Sequence, residues 1–132
     1  MTYCLDSTFL IDFLKGDPQA LALSRTLDRY ECLVTPINVF EVLSGIYYLK
    51  NKHAVALEPF HALLSSCVCL ALTPTSVDRA ARLHAFLLTQ GQRIESTDCL
   101  IAGTALTYGC THVVTRNKRD FERIPGLTIV SY

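Results

Sequence analysis

Tyr3-Cys4-Leu5-Asp6-Ser7-Thr8 is a short apolar run that breaks at residues whose side chains are preferred at helix N-caps. It reads as a strand feeding a helix, on which Leu10, Phe13 and Leu14 recur at helical spacing. Gly16-Asp17-Pro18 closes that helix and opens another through about Arg29. Cys32-Leu33-Val34 is a second strand, and Thr35-Pro36 supplies a cap residue followed by proline at the first position of a helix through about Leu49. His53 to Leu64 is helical by pattern, and Cys67 to Leu72 is a continuous apolar run of the kind buried strands show. After Thr73-Pro74, the residues Val77, Ala80, Ala81, His84, Leu87 and Leu88 form one face of a helix that stops near Gln90-Gly91. Ser96-Thr97-Asp98 caps the next helix, whose face is Ile101, Ala102, Ala105 and Leu106 and whose end is Gly109. His112 to Thr115 and Leu127 to Val130 are the last strands, separated by a helical turn around Asp120. Alternation of strands and helices implies an α/β fold in which a mostly parallel sheet is covered by helices on both faces, because parallel neighbours need crossover connections.

The chain has 132 residues, which fits one domain over residues 1–132. Half of the residues are hydrophobic and 18% are charged, a balance that predicts a well-buried core and excludes intrinsic disorder. No apolar stretch approaches the roughly 20 residues of a membrane-spanning helix, and the N-terminus does not read as a secretory signal. A cytoplasmic location is therefore expected. Cys4, Cys32, Cys67, Cys69, Cys99 and Cys110 lie mostly in apolar runs without a C-x-x-C pair, and read as buried thiols that pack like small hydrophobes. His53, His61, His84 and His112 have no ligand spacing. The formal net charge is zero, so bulk charge predicts no nucleic-acid partner. The C-terminal part nevertheless gathers Arg79, Arg82, Arg93, Arg116, Lys118, Arg119 and Arg123, and a cation bound among the acids would make that surface net positive.

In open parallel sheets, sites form in the crevice at the carboxyl ends of the strands. Asp6 stands at the end of the first strand, although a helix-capping role explains it equally well. Asp98 precedes Ile101, Ala102 and Ala105 by three, four and seven residues, which places it on the inward stripe of its helix, where a carboxylate is costly unless paired or metal-bound. Glu41 shares a stripe with Ile37 and Gly45, and the bare Gly45 is expected to admit another element; the alternative is a solvated helical Glu. Asp120 follows the fourth strand, where pairing with Arg116 or Arg123 is the competing explanation. Asp12, Asp17, Asp28, Glu31, Glu58, Asp78, Glu95 and Glu122 fall on faces or turns expected to be solvated, and no catalytic role is assigned to them. Four carboxylates around one crevice repel one another and raise each other's pKa, a conflict that hard divalent ions such as Mg²⁺ or Mn²⁺ relieve. Such ions also activate water for in-line attack on phosphorus, which is the chemistry of phosphodiester hydrolysis.

The pieces Leu5-Asp6-Ser7-Thr8, Glu41, Asp98-Cys99-Leu100-Ile101-Ala102 and Thr115-Arg116-Asn117-x-x-Asp120-Phe121, in this order and spacing, resemble the PIN-domain nucleases, specifically the VapC-type toxins of prokaryotic toxin–antitoxin pairs. The resemblance covers nearly the whole chain. It implies a PIN-like three-layer α/β/α sandwich in which Asp6, Glu41, Asp98 and often Asp120 hold one or two Mg²⁺ or Mn²⁺ ions, supported by Thr115 and Asn117. It further implies a homodimer that cleaves structured RNA such as tRNA or rRNA and is silenced by a cognate VapB-type antitoxin. Arg93, Arg116, Lys118 and Arg119 are by analogy candidates for RNA phosphate contacts, with ordinary solvated charge as the alternative. Gly103, where the family often has alanine, is a small departure.

Two other classes compete. A receiver-like phosphoacceptor module would carry an acidic pair after the first strand and an acceptor Asp after the third, whereas Asp6 has no acidic neighbour and the third run ends in Leu72-Thr73. An Asp-nucleophile phosphatase of the D-x-D type would need an acid where Thr8 stands. A non-catalytic PIN-fold binding domain would have no use for all four acids.

Overall fold

A computed structural model describes residues 1–49 and 53–132. The elements run β1 (Thr2–Leu5), α1 (Ser7–Leu14), α2 (Pro18–Leu27), β2 (Glu31–Val34), α3 (Pro36–Tyr48), α4 (His53–Ser65), β3 (Val68–Cys69), α5 (Pro74–Thr89), α6 (Ser96–Thr107), β4 (His112–Val114), α7 (Lys118–Phe121) and β5 (Thr128–Val130). The five strands form one sheet in the order β3-β2-β1-β4-β5, and every neighbouring pair is parallel. Among the described residues no helix is long and apolar enough to cross a membrane.

Alternation along the strands makes the three layers. Cys4 of β1, Leu33 of β2 and Val113 of β4 enter a core shared with Leu87 of α5 and with Ile101, Ala102 and Ala105 of α6. The next residue of each strand, Leu5, Val34 and Val114, points to the opposite face, into a core with Phe9 and Leu10 of α1, Val42 and Ile46 of α3 and Phe60 of α4. Successive strand residues face opposite sides, so these two-residue steps need apolar side chains in both positions and read as unbroken apolar runs.

Local chemistry fixes the element ends. Asp17 caps α2 by accepting from the backbone of Ala20, with Pro18 next in line. Thr35 and Thr73 each build a reciprocal capping box, with Asn38 and Ser76 respectively, ahead of the proline-initiated α3 and α5. At the far end of α6, Gly109 takes a φ of 79°, the left-handed conformation that stops a helix at little cost in glycine.

Three expectations change. The run Cys67 to Leu72 is not a buried strand: β3 covers only Val68–Cys69, both exposed, because it is an edge strand with a single neighbour. Helix α6 starts at Ser96 with Glu95 as its cap, so Asp98 lies in its first turn rather than at its cap. That helix is buried almost all round from Cys99 to Ala105, not on one face only. The reason is Gly103, at which an added Cβ would stand 2.8 Å from the backbone and side chain of Ala80, so α5 and α6 approach closely there. All six cysteines are free thiols; Cys4, Cys99 and Cys110 are buried, while Cys69 is exposed on the edge strand.

Candidate active site

The chain runs outward from β1 through β2 to β3, then crosses back so that β4 and β5 add to the other side of β1. The reversal leaves a crevice between the carboxyl ends of β1 and β4, where Asp6 follows Leu5 and Thr115 follows Val114. Asp6 occupies the N-cap position of α1, yet its side chain makes no capping hydrogen bond. Instead its Oδ2 accepts from the Thr115 hydroxyl at 2.7 Å and from the Thr8 hydroxyl at 3.0 Å. Capping therefore does not account for this carboxylate, which is 3% exposed.

Glu41 reaches the crevice from α3. Its Oε1 accepts from the Ser7 hydroxyl at 2.7 Å, and Ser7 in turn accepts from Nδ2 of Asn38 at 3.1 Å. Asn38 is wholly buried and is locked by Thr35, whose backbone N–H and hydroxyl both donate to Asn38 Oδ1 at 3.0 and 2.8 Å. The capping box of α3 thus orients Glu41 through two intermediates. Gly45 has no part in this: it is exposed, with nothing within 4 Å of an added Cβ, so the expected close approach is absent among the described residues.

Asp98 and Asp120 meet at Asn117. The Asn117 amide Nδ2 donates to Asp98 Oδ2 at 3.3 Å and to Asp120 Oδ2 at 3.1 Å, while its backbone N–H donates to Thr115 Oγ1 at 2.9 Å. A single strand end, Thr115-Arg116-Asn117, so contacts three of the four acids. Burial pushes the half-buried Asp98 carboxyl up from its ordinary 3.8 to about 7, and the negative charges of Asp6, Glu41 and Asp120, then of Glu95, add to the effect. The structure therefore brings all four acids within mutual electrostatic reach. Among the described residues none of them takes part in an ion pair; their hydrogen-bond partners are neutral hydroxyls and one amide.

An uncompensated, all-oxygen donor set of this kind suits a hard divalent cation. Among the described residues no three acids, cysteines or histidines close into a ready ligand shell.

The basic candidates separate. Lys118 pairs with Glu122 at 3.5 Å on the surface, and Arg93 and Arg119 are exposed. Arg116 lies 3.3 Å from Asp12, an acid expected to be solvated but in fact 5% exposed. Ser7 and Thr8, quoted in the stretch after β1 but given no role there, also line the crevice, as does Asn38, which the sequence pattern did not single out. The available signal was Asn38 at the third position after the Thr35 cap, where a capping box places a side chain that reaches back.

The PIN domain family model matches residues 3–127. The chain is 24% identical over 129 residues to the tRNA(fMet)-specific endonuclease VapC of Shigella flexneri, covering 96% of this chain and 95% of that protein. It is 29% identical over 125 residues to ribonuclease VapC19 of Mycobacterium tuberculosis, covering 93% and 94% respectively. The DNA-bound VapBC structure from Salmonella typhimurium contains a chain that superposes with a TM-score of 0.87 at 25% identity, covering 99% of this chain and 98% of that one. A match that runs from β1 to the residue before β5 takes in all four acids and the strand end that binds three of them. The chain belongs to the PIN-domain family, as a member of its VapC type.

Proposed function

We propose that the protein is a metal-dependent endoribonuclease, the toxin half of a VapBC-type pair, built as one domain over residues 1–132 and working in the cytoplasm. The observation that carries this reading is the convergence of Asp6, Glu41, Asp98 and Asp120 without a cationic partner among the described residues. Acids so placed only to stabilise the fold would cost free energy, since each raises the work of ionising the others.

Asp6, Glu41, Asp98 and Asp120 would hold Mg²⁺ or Mn²⁺. Bound there, the ion supplies positive charge to the scissile phosphate, acidifies the attacking water and offsets charge on the leaving oxygen. The chain's own part is orientation. Thr8 and Thr115 fix one oxygen of Asp6 and leave the other free, Ser7 does the same for Glu41, and Asn117 for Asp98 and Asp120. Burial and the neighbouring carboxylates favour the protonated form of Asp98 when no cation is bound, so loading and deprotonation would go together.

RNA as substrate and a VapB-type antitoxin as partner follow the names of the VapC relatives, a homodimer follows the resemblance to the family, and together they complete the proposal. The receiver-like alternative gains nothing, because Leu70-Ala71-Leu72 follows β3 where an acceptor Asp would be needed. The test is cleavage of RNA by the purified protein with Mg²⁺ or Mn²⁺, which EDTA or Asp98→Ala should abolish; full activity in either case sinks the metal reading. Expression of a short upstream reading frame together with this chain should suppress the activity if that frame encodes the antitoxin.

A further inference from the structure

Asp12 lies one turn beyond Thr8 on α1, outside the acid cluster, and is almost fully buried. Its Oδ2 accepts a hydrogen bond from the Tyr132 phenol at 2.6 Å, and its Oδ1 lies 3.3 Å from Nη2 of Arg116. The Tyr132 ring stands edge-on against the buried Phe9, with centroids 5.5 Å apart, so the phenol is fixed at both ends. Burial and the Asp12 carboxylate push the Tyr132 hydroxyl well above its ordinary pKa, which keeps it a hydrogen-bond donor at any working pH.

Arg116 is tethered twice. Its backbone N–H donates to the Thr8 hydroxyl at 3.0 Å, and that hydroxyl donates to Asp6. Its guanidinium is held by Asp12, while 62% of the side chain remains open to solvent. Among the described residues the other ion pairs join side chains that are more than half exposed on both sides, so Arg116 is the cation anchored to a buried carboxylate. A guanidinium has five N–H donors, and Asp12 engages one of its nitrogens. The other donors stay open to solvent, and the contact with Asp12 narrows the range over which they move. Thr8 and Asp12 are four residues apart on α1, a rise of about 6 Å. That is on the order of the step between successive phosphates of a nucleic-acid strand.

We propose that Asp12, itself fixed by Tyr132, is a positioning residue that holds Arg116 against the phosphate next to the one cleaved. The inference rests on the ribonuclease reading. It gives a purpose to a buried carboxylate that the metal site does not use, and it separates Arg116 from Arg93, Lys118 and Arg119, whose side chains have no buried anchor among the described residues.

The test uses a fluorescein-labelled RNA stem-loop, titrated by anisotropy into Asp98→Asn protein and into the same protein carrying Asp12→Asn, Arg116→Lys, Arg116→Ala or Asp12→Asn with Arg116→Ala. Arg116→Ala should weaken binding about tenfold and lower the salt slope by about one. Asp12→Asn should weaken it about fivefold, although it deletes a negative charge and by charge count alone would tighten binding. The double variant should be no weaker than Arg116→Ala, because the two residues act as one unit. Arg116→Lys, a surface change that keeps the charge and loses the fork, should lose about fivefold. Tighter or unchanged binding by Asp12→Asn, additive losses in the double variant, or full binding by Arg116→Lys each overturn the proposal, as does failure of the Asp98→Asn protein to bind the probe. In cleavage assays without the Asp98 change, the same variants should raise KM with kcat held within about threefold; the reverse split contradicts it. The expected binding pattern in a protein that never cleaves RNA would leave this anchor standing and remove the ribonuclease reading, whereas cleavage with additive binding losses would remove the anchor alone.

Discussion

At the scale of single residues, Asp98 sets the pH behaviour of the site. Its carboxyl titrates near 7 in the folded chain and near 3.8 when unfolded, so the metal-free protein loses stability as pH rises from about 4 to about 7 and stays at the lower level above that. At 1.36 kcal/mol per pH unit, that difference between the folded and unfolded carboxyl would amount to about 4 kcal/mol, and solvent screening of a half-buried group reduces this to about 1–2 kcal/mol. Urea unfolding in EDTA at pH 5 and pH 8 should show the loss, and Asp98→Asn should erase it while abolishing cleavage. Thr115 acts in the opposite sense. Thr115→Val removes the 2.7 Å hydrogen bond to Asp6 and should cost about 1–2 kcal/mol, with at least a tenfold loss of cleavage rate at unchanged RNA affinity. Among the described residues Thr104 is buried with no partner for its hydroxyl, and Thr104→Val should raise stability by about 1 kcal/mol by the same measurement. Of these residues the sequence exposes only some. Asp98 was legible because its spacing from Ile101 and Ala105 points it inward. Asp12 was not, because its hydrogen-bond partner Tyr132 lies 120 positions away and no local pattern carries that contact.

At the scale of elements, the packing of α5 on α6 depends on a missing side chain. Gly103→Ala places a Cβ 2.8 Å from backbone atoms of Ala80, which a flexible side chain cannot relieve, so the helices must separate. We expect a loss of about 1–3 kcal/mol in urea unfolding, and a further loss of activity because α6 also carries Asp98. Ala80→Gly in the same chain should recover part of it, by removing one of the atoms that the new methyl meets. The strands and helices were readable from short apolar runs bounded by cap residues and Gly or Pro, since those signals are local. Two readings failed for want of tertiary information. The stretch from Cys67 to Leu72 has the composition of a central strand but sits at the sheet edge, where only two residues find a partner. The bare position Gly45 faces outward, and the glycine that matters for packing is Gly103, which looked like a minor departure.

At the scale of the whole molecule, the order β3-β2-β1-β4-β5 places Asp6 and the Thr115–Asn117 strand end side by side, and α3 and α6 bring Glu41 and Asp98 to them from opposite layers of the sandwich. Because binding of a cation removes repulsion that the fold otherwise tolerates, Mg²⁺ or Mn²⁺ should raise the melting temperature, and more at pH 8 than at pH 5. Equal rises at both pH values would mean that the ion binds away from Asp98. The most direct measurement of the central claim compares wild-type and Asp98→Asn protein on the same RNA, each with Mn²⁺ and with EDTA, followed by gel analysis of the fragments. The account predicts discrete endonucleolytic fragments from the wild type with Mn²⁺ alone, and intact RNA in the other three reactions. Equal fragmentation by Asp98→Asn, or by the wild type in EDTA, would contradict it.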